Sequence, residues 1–261
     1  MINFDYEKCT GCLTCVSVCP FTVLKVTDGR PELNDEKFCL KCMHCAAACP
    51  EKAVLFGEDR AVLEGGLPIV GEGFQSDLKS HIMMRRSYRH FKQEPVSRNL
   101  IKEALELASW ASSAKNQHPT KWIIVDSPEA IEKIMENIIS YVKESGVSPE
   151  ILSEFEDGNN VVMGTAPTLL LAYGRDNAIS PETDTAIAMT TAELYLQSKG
   201  VGTCWAGYLK RMANTIDEIK EILPEIPENN SFYGAFMMGY PENEEYLYIP
   251  ERVKRADIKW L

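Results

Sequence analysis

Residues 9–20 read C-T-G-C-L-T-C-V-S-V-C-P, and residues 39–50 read C-L-K-C-M-H-C-A-A-A-C-P. Eight of the nine cysteines of the chain fall in these two runs, each of the form C-x2-C-x2-C-x3-C-P. Thiolates spaced by two residues on a tight loop can converge on three corners of an iron–sulfur cubane. A fourth, placed before a proline that turns the chain, reaches the neighbouring cluster. A disulfide framework suits an oxidising compartment instead, and zinc sites usually draw four ligands as two pairs, not as a three-plus-one run.

The two runs resemble the two-cluster bacterial ferredoxin of the clostridial type, across residues 1–57. The repeat implies pseudo-two-fold symmetry. Cys9, Cys12, Cys15 and Cys49 fall on one 4Fe-4S cluster, and Cys39, Cys42, Cys45 and Cys19 on the other. Ala46, Ala47 and Ala48 lie between the last two ligands, where a short helix must pack close to sulfide. His44 reads as a surface residue. Thr22–Val26 and Ala53–Phe56 follow the two runs at matching positions and read as paired strands. So small a unit, poor in other apolar residues, would rely on its clusters to fold.

The 261 residues carry 45% hydrophobic and 25% charged side chains, a balance that supports a real core. The formal charge is −11, with 7 basic against 9 acidic residues in the first sixty and 20 against 29 in the rest. Such a chain repels polyanions, so no nucleic acid partner is expected. No window offers the roughly 18 uncharged apolar residues of a membrane span. Asp5 and Glu7 stand where a signal peptide would be basic, so the expected location is cytoplasmic.

Glycines 57, 65, 66, 71 and 73 with Pro68 mark a loop. The expected division is a ferredoxin-like domain over 1–60, a linker over 61–76 and a larger domain over 77–261. In the last, the 3.6-residue spacing predicts helices at 77–85, 97–111, 128–145, 181–199 and 214–223. Ser97, Ser127 with Pro128, and Asn214 read as caps or first-turn residues. Strands are predicted at Trp122–Asp126, Thr168–Tyr173, Thr203–Tyr208 and Phe232–Gly239. The fold class is therefore α+β, with a mixed central sheet flanked by helices. Neither a G-x-G-x-x-G after a strand nor a Walker sequence is present, so any cofactor here is held by other means.

Arg85, Arg86, Ser87, Tyr88, Arg89, His90 and Phe91 place three guanidinium groups and a hydroxyl within five residues, a set that matches phosphate. This segment resembles the opening motif of the nitroreductase family of FMN enzymes. Three further segments follow in that family's order. Ala111–Thr120 resembles its P-S-x-x-N-x-Q-P-W stretch, Gly200–Gly207 its G-L-G-T-C-W segment, and Gly239–Pro241 its G-Y-P turn. Ile249, Pro250, Glu251 and Arg252 look like its last basic segment. Ala111, His118 and Thr120 depart from the family's proline, glutamine and tryptophan, the last suggesting a different substrate pocket.

The resemblance implies that Arg85, Arg86, Ser87, Arg89 and Arg252 hold the ribityl phosphate and that Asn116 contacts the flavin ring. Ser112 and Ser113 would reach the flavin of the other subunit of a homodimer. Backbone at Ala206 and Gly207 would donate to flavin N5 and O4, countering charge on the reduced ring. No side-chain acid is assigned. Cys204 reads as a buried inert thiol, His81 and His90 as surface residues, and Tyr141 and Phe155 as weak candidates for substrate contact.

Joined together, the two halves imply an FMN-dependent oxidoreductase whose clusters relay electrons to FMN. Its substrate would be a small electrophile such as a nitroaromatic, quinone, activated alkene or halogenated compound. The donor would be ferredoxin, another low-potential protein or NAD(P)H. A different class of reading is an electron carrier or redox sensor serving a protein partner, and a third is a cofactor-free binding domain fused to a ferredoxin.

Overall fold

The computed structural model describes residues 2–57, 59–60, 70–242, 246, 248–249 and 256–260. The chain divides into two compact units, Met1–Gly71 and Glu72–Leu261.

The first unit runs β1 (Ile2–Phe4), α1 (Thr14–Ser17), β2 (Leu24–Thr27), β3 (Arg30–Leu33), α2 (His44–Ala47), β4 (Val54–Phe56) and β5 (Asp59–Arg60). Its thirty-residue repeat is written in the backbone. Leu13 and Met43, both at φ 60°, enter α1 and α2 from the left-handed region. Gly11 and Lys41, then Thr22 and Lys52, are left-handed at the same spacing. At position 11 a Cβ would meet the Gly29 carbonyl oxygen at 3.0 Å, so glycine is required there for space as well as for conformation.

The strands after the two cysteine runs do not pair with each other. Asp28 and Gly29, at φ 51° and 73°, form a two-residue turn of the kind that closes a hairpin, and β2 pairs antiparallel with β3 from Leu24↔Leu33 to Thr27↔Arg30. β4 pairs instead with β1, Ile2 opposite Phe56 and Phe4 opposite Val54. Ile2, Phe4, Val23, Leu24, Ala46 and Val54 form a small core with Cys15 and Cys45. Of the three alanines before Cys49 only Ala46 is buried, and His44 is exposed.

The second unit runs α3 (Phe74–Met84), α4 (Arg98–Ala108), β6 (Lys121–Val125), α5 (Pro128–Ser145), α6 (Pro149–Glu156), β7 (Thr168–Arg175), α7 (Pro181–Ser198), β8 (Gly202–Trp205), α8 (Gly207–Thr215), α9 (Asp217–Ile222) and β9 (Asn230–Gly239). α3 begins inside the stretch expected as linker. The sheet order is β6-β7-β9-β8. All three ladders are antiparallel, and the parallel component is a single bridge from Ser87 to Thr203.

The middle of β7, Leu169 to Ala172, is apolar without interruption because both its faces are covered. Leu169 and Leu171 face the layer that includes Ile134, Ile138, Leu209 and Ile219. Leu170 and Ala172 face the opposite layer, with Ile101, Met189 and Leu196. Among the described residues no helix is long and apolar enough to cross a membrane.

Three helices open on a proline after a serine, at 128, 149 and 181, where the missing N–H costs nothing. Ser127 caps α5 by accepting from the Ala130 N–H at 3.2 Å, while Ser97 makes no side-chain cap bond. β8 ends at Trp205, so Gly207 and Tyr208 open α8 instead of extending the strand. The helix expected over 214–223 is α9 preceded by the end of α8, broken at Ile216. Asn214 caps nothing. Its Nδ2 donates to the Phe232 carbonyl at 2.8 Å and its Oδ1 accepts from the Phe232 N–H at 2.9 Å, pinning α8 to β9. Because each such bond contributes about 1 kcal/mol, Asn214→Ala is expected to lower unfolding stability by about 2 kcal/mol, measured by denaturant titration.

Candidate functional site

In the first unit the eight thiols separate four and four. Cys9, Cys12, Cys15 and Cys49 line one cavity, together with Phe4 and Val54. Cys19, Cys39, Cys42 and Cys45 line a second, together with Ile2 and Leu24. Each cavity thus takes three sulfurs from one run and the fourth from the other. Four sulfurs spread around an apolar cavity fit a larger multi-iron core.

The thiols are not equivalent. Burial pushes Cys45 up to about 11 and Cys15 upward, whereas hydrogen bonds from the Thr14 backbone and side chain pull Cys12 down. Ligation requires thiolates, so bound metal must supply the drive to deprotonate the two buried ones. The Thr14 hydroxyl donates to Cys12 Sγ at 3.5 Å and the Ala53 N–H to Cys49 Sγ at 3.3 Å. Bonds of this kind tune the potential of a cluster.

In the second unit an open cavity of about 240 Å³ lies where the chain leaves α3 and runs beside β8. Arg85, Arg86, Tyr88, Gly202, Tyr246 and Tyr248 are among its walls. Ser87 bridges Thr203 and the Tyr88 N–H donates to the Thr203 carbonyl at 3.0 Å, so residues 85–88 are laid along the sheet edge. A Cβ on Gly202 would come within 3.0 Å of Tyr88 and Pro241, so glycine is needed for this approach.

Two residues of α7 one turn apart hold the segment. Gln197 accepts from the Arg86 N–H at 3.3 Å and donates to the Arg86 carbonyl at 2.9 Å and to Thr203 Oγ1 at 2.8 Å. Glu193, buried at 3% exposure, accepts from Thr203 Oγ1 at 3.1 Å and from Arg85 Nη1 at 3.5 Å. Burial raises its carboxyl above the usual carboxylate range, against the pull of Arg85 and Thr203. The sequence signal for this pair was a Glu and a Gln four residues apart, one turn along the same side of a helix.

Of the residues expected at the phosphate, Arg85 and Arg86 line the cavity. The Arg86 guanidinium also bonds the Met83 and Arg85 carbonyls and sits 5.6 Å over the Tyr246 ring. Arg89 is exposed, its Nη1 donating to the Ser87 carbonyl at 3.2 Å. Arg252 lies outside the described residues. The donor set of guanidinium groups, backbone and tyrosine rings fits an aromatic cofactor bearing a phosphate.

Ser112 and Ser113 line a different cavity, with His118, Thr120, Trp122 and Asp184. The two cavities have no lining residue in common. Asn116 is left-handed at φ 56°, and its Oδ1 lies 2.8 Å from His118 Nε2. Thr120, standing for the family's tryptophan, pairs its hydroxyl with that of Thr185 at 3.1 Å. Asp184, at 3% exposure, accepts from the Ala114 N–H at 2.8 Å, and its Oδ2 has no partner among the described residues.

The Ala206 N–H is already committed to the Ala235 carbonyl at 2.9 Å, which takes it out of the expected pair of flavin donors. Gly207, the first residue of α8, is exposed and open above its Cα. Cys204 is buried, with Sγ 3.6 Å from the Trp205 carbonyl oxygen. His81 is no free surface group, because its Nε2 lies 2.8 Å from the Leu194 carbonyl oxygen. His90 is exposed. Tyr141 packs on the core, leaving Phe155 the more exposed of the two weak substrate candidates.

Comparison with known proteins agrees with this division. Residues 1–50 match the model of the 4Fe-4S dicluster domain and residues 82–240 that of the nitroreductase family. A ferredoxin of Methanothermococcus thermolithotrophicus is 34% identical over 59 residues, 22% of this chain and 98% of that protein. A Bacillus subtilis (strain 168) protein provisionally named an NAD(P)H nitroreductase, YfhC, is 27% identical over 191 residues, 70% of this chain and 92% of its own. The crystal structure of a nitroreductase with bound FMN from Bacteroides fragilis NCTC 9343 superimposes with a TM-score of 0.61 at 20% identity, covering 74% of this chain and 100% of that one, a likeness of fold. An arginine-lined cavity at the margin of this sheet, preceded by two sets of four thiols, is thus the work of a chain that belongs to the nitroreductase family and carries a 4Fe-4S dicluster ferredoxin domain at its N-terminus.

Proposed function

We propose that the protein is an FMN-dependent oxidoreductase in which two 4Fe-4S clusters relay electrons to FMN for reduction of a small electrophilic substrate: a nitroaromatic, quinone, activated alkene or halogenated compound. The observation that carries this reading is the four-and-four division of thiols around two cavities in a chain whose remainder is of the nitroreductase family. When bound, the clusters supply one-electron transfer and the flavin supplies the conversion of single electrons into two-electron reduction.

Cys9, Cys12, Cys15 and Cys49 would hold one cluster, and Cys39, Cys42, Cys45 and Cys19 the other. Arg85 and Arg86 would bind the phosphate of FMN, with Ser87, Arg89 and Arg252 completing that end. Tyr88 and Tyr246, whose rings meet edge to face at 5.5 Å, wall the same cavity. The Gly207 N–H, at the positive end of α8, would face the charge that develops during reduction. Asn116 would contact the flavin ring, Ser112 and Ser113 would reach the flavin of a partner subunit, and the separation of the serine-lined cavity from the arginine-lined one supports a site completed by a homodimer. The electron donor would be ferredoxin, another low-potential carrier or NAD(P)H, and the location cytoplasmic.

Anaerobically purified protein is expected to contain about eight irons with one FMN per chain. Its flavin absorbance should bleach on addition of reduced ferredoxin, and no longer do so after cluster loss. Full iron without FMN would remove the second half of the reading, and flavin reduction without substrate turnover would favour the electron carrier. The crossed ligand sets give a second test by EPR of the reduced protein. Cys49→Ala is expected to disturb the centre built on Cys9, Cys12 and Cys15, and Cys19→Ala the centre built on Cys39, Cys42 and Cys45.

A further inference from the structure

Glu193 is an unusual group to find beside a phosphate site. It is a buried acid whose carboxylate shares one oxygen between the Thr203 hydroxyl and the Arg85 guanidinium. The Arg85 side chain keeps 31% of its surface while that of Glu193 keeps 4%, so Arg85 offers its outer edge to the cavity and its inner edge to the acid. Among the described residues, the other elements packed on α7 bring no second cation to this pair, and β8 adds only Thr203 and the buried Cys204. The end of α3 contributes His81, whose ring is bonded to the Leu194 carbonyl, and Arg86, whose guanidinium is turned to backbone carbonyls and Tyr246. α4 contributes Glu103, which is taken by the Tyr195 hydroxyl at 2.5 Å. β7 and β9 meet α7 through apolar residues, Leu170, Ala172, Phe236 and Met238.

A single guanidinium cannot fully satisfy a carboxylate and a phosphate dianion at once in a half-buried place, because each anion weakens the other's hold on it. We propose that Glu193 is a positioning residue of the phosphate site, orienting Arg85 when the site is empty of phosphate and taking up a proton when a phosphate dianion seats on Arg85 and Arg86. The inference rests on the FMN reading and adds to it a proton linked to cofactor binding. Its direction follows from the pair itself. Burial already favours the neutral acid, with Arg85 as the main opposing influence. A dianion on Arg85 cancels part of that influence, so the loaded site binds the proton more tightly than the free site does. By linkage, FMN binding must strengthen as pH falls through that window and weaken as it rises.

The test is the dissociation constant of FMN, and of riboflavin, for the full-length protein between pH 7 and 9, above the second ionisation of the phosphate itself at about 6, by flavin fluorescence under anaerobic conditions. For wild type the FMN constant is expected to rise by up to about tenfold per pH unit across the window where Glu193 ionises. Riboflavin, which lacks the phosphate, should show no such rise. Glu193→Gln keeps an acceptor for Thr203 and Arg85 without the charge. It should bind FMN more tightly than wild type at pH 9 and lose the slope, with its iron content unchanged. Parallel slopes in the two proteins, or the same slope for riboflavin, would overturn the inference while leaving the FMN reading intact. Absence of FMN binding at every pH would overturn both. A measurement on wild type alone guards against a variant that does not fold. Calorimetry at several pH values between 7 and 9, each in two buffers of different ionisation enthalpy, should report net proton uptake with FMN and none with riboflavin, and equal heats in both buffers at every pH would refute the linkage.

Discussion

The central constraint on the larger unit is that β7 and β9 are buried on both faces. Leu169 to Ala172 have helices above and below them, which leaves no room for a cofactor over the middle of the sheet. Chemistry is therefore confined to the margins. At one margin β8 carries Gly202 and Thr203, and against it the chain lays the arginine segment. At the other, β6 follows the left-handed loop that carries Asn116 and the two serines. A planar group served by both margins must be reached from two directions, so the separation of the two cavities is a consequence of how thoroughly the core is filled.

At the β8 margin the interactions are polar and partly buried, which sets their character. Residues 85–88 are held to the sheet by Gln197, Glu193 and Thr203 through a connected set of hydrogen bonds. Each group in that set has a partner, the condition under which a buried polar network fixes a conformation instead of weakening it. The arginines are thus presented by a rigid backbone even though one of them faces open space.

Much of this was legible in the sequence where a residue type has one physical use. Cysteine runs ending in proline gave the four-and-four division, the apolar run within Thr168–Tyr173 gave a strand, and Ser127 before Pro128 gave a helix start. Reading failed where two outcomes share a composition. Asn214 looked like a cap because asparagine often is one, yet its amide serves the Phe232 backbone across a tertiary contact that periodicity does not register. The strands after each cysteine run looked like partners because the repeat placed them alike, but Asp28-Gly29 closes a local hairpin before a distant pairing can compete. Ala206 was expected as a donor from the family resemblance, which carries no information on the tertiary contact by which β9 claims its N–H.

The exchange of one cysteine between the two halves of the first unit also orders its assembly during synthesis. The cavity lined by Cys39, Cys42 and Cys45 has its remaining thiol upstream at Cys19, so it has all four sulfurs once residue 45 has been made. The cavity lined by Cys9, Cys12 and Cys15, although its residues emerge from the ribosome first, waits for Cys49. The half that is translated first is therefore the half completed last, and a nascent chain halted between residues 45 and 49 holds one full set of four sulfurs beside a set of three that awaits its fourth.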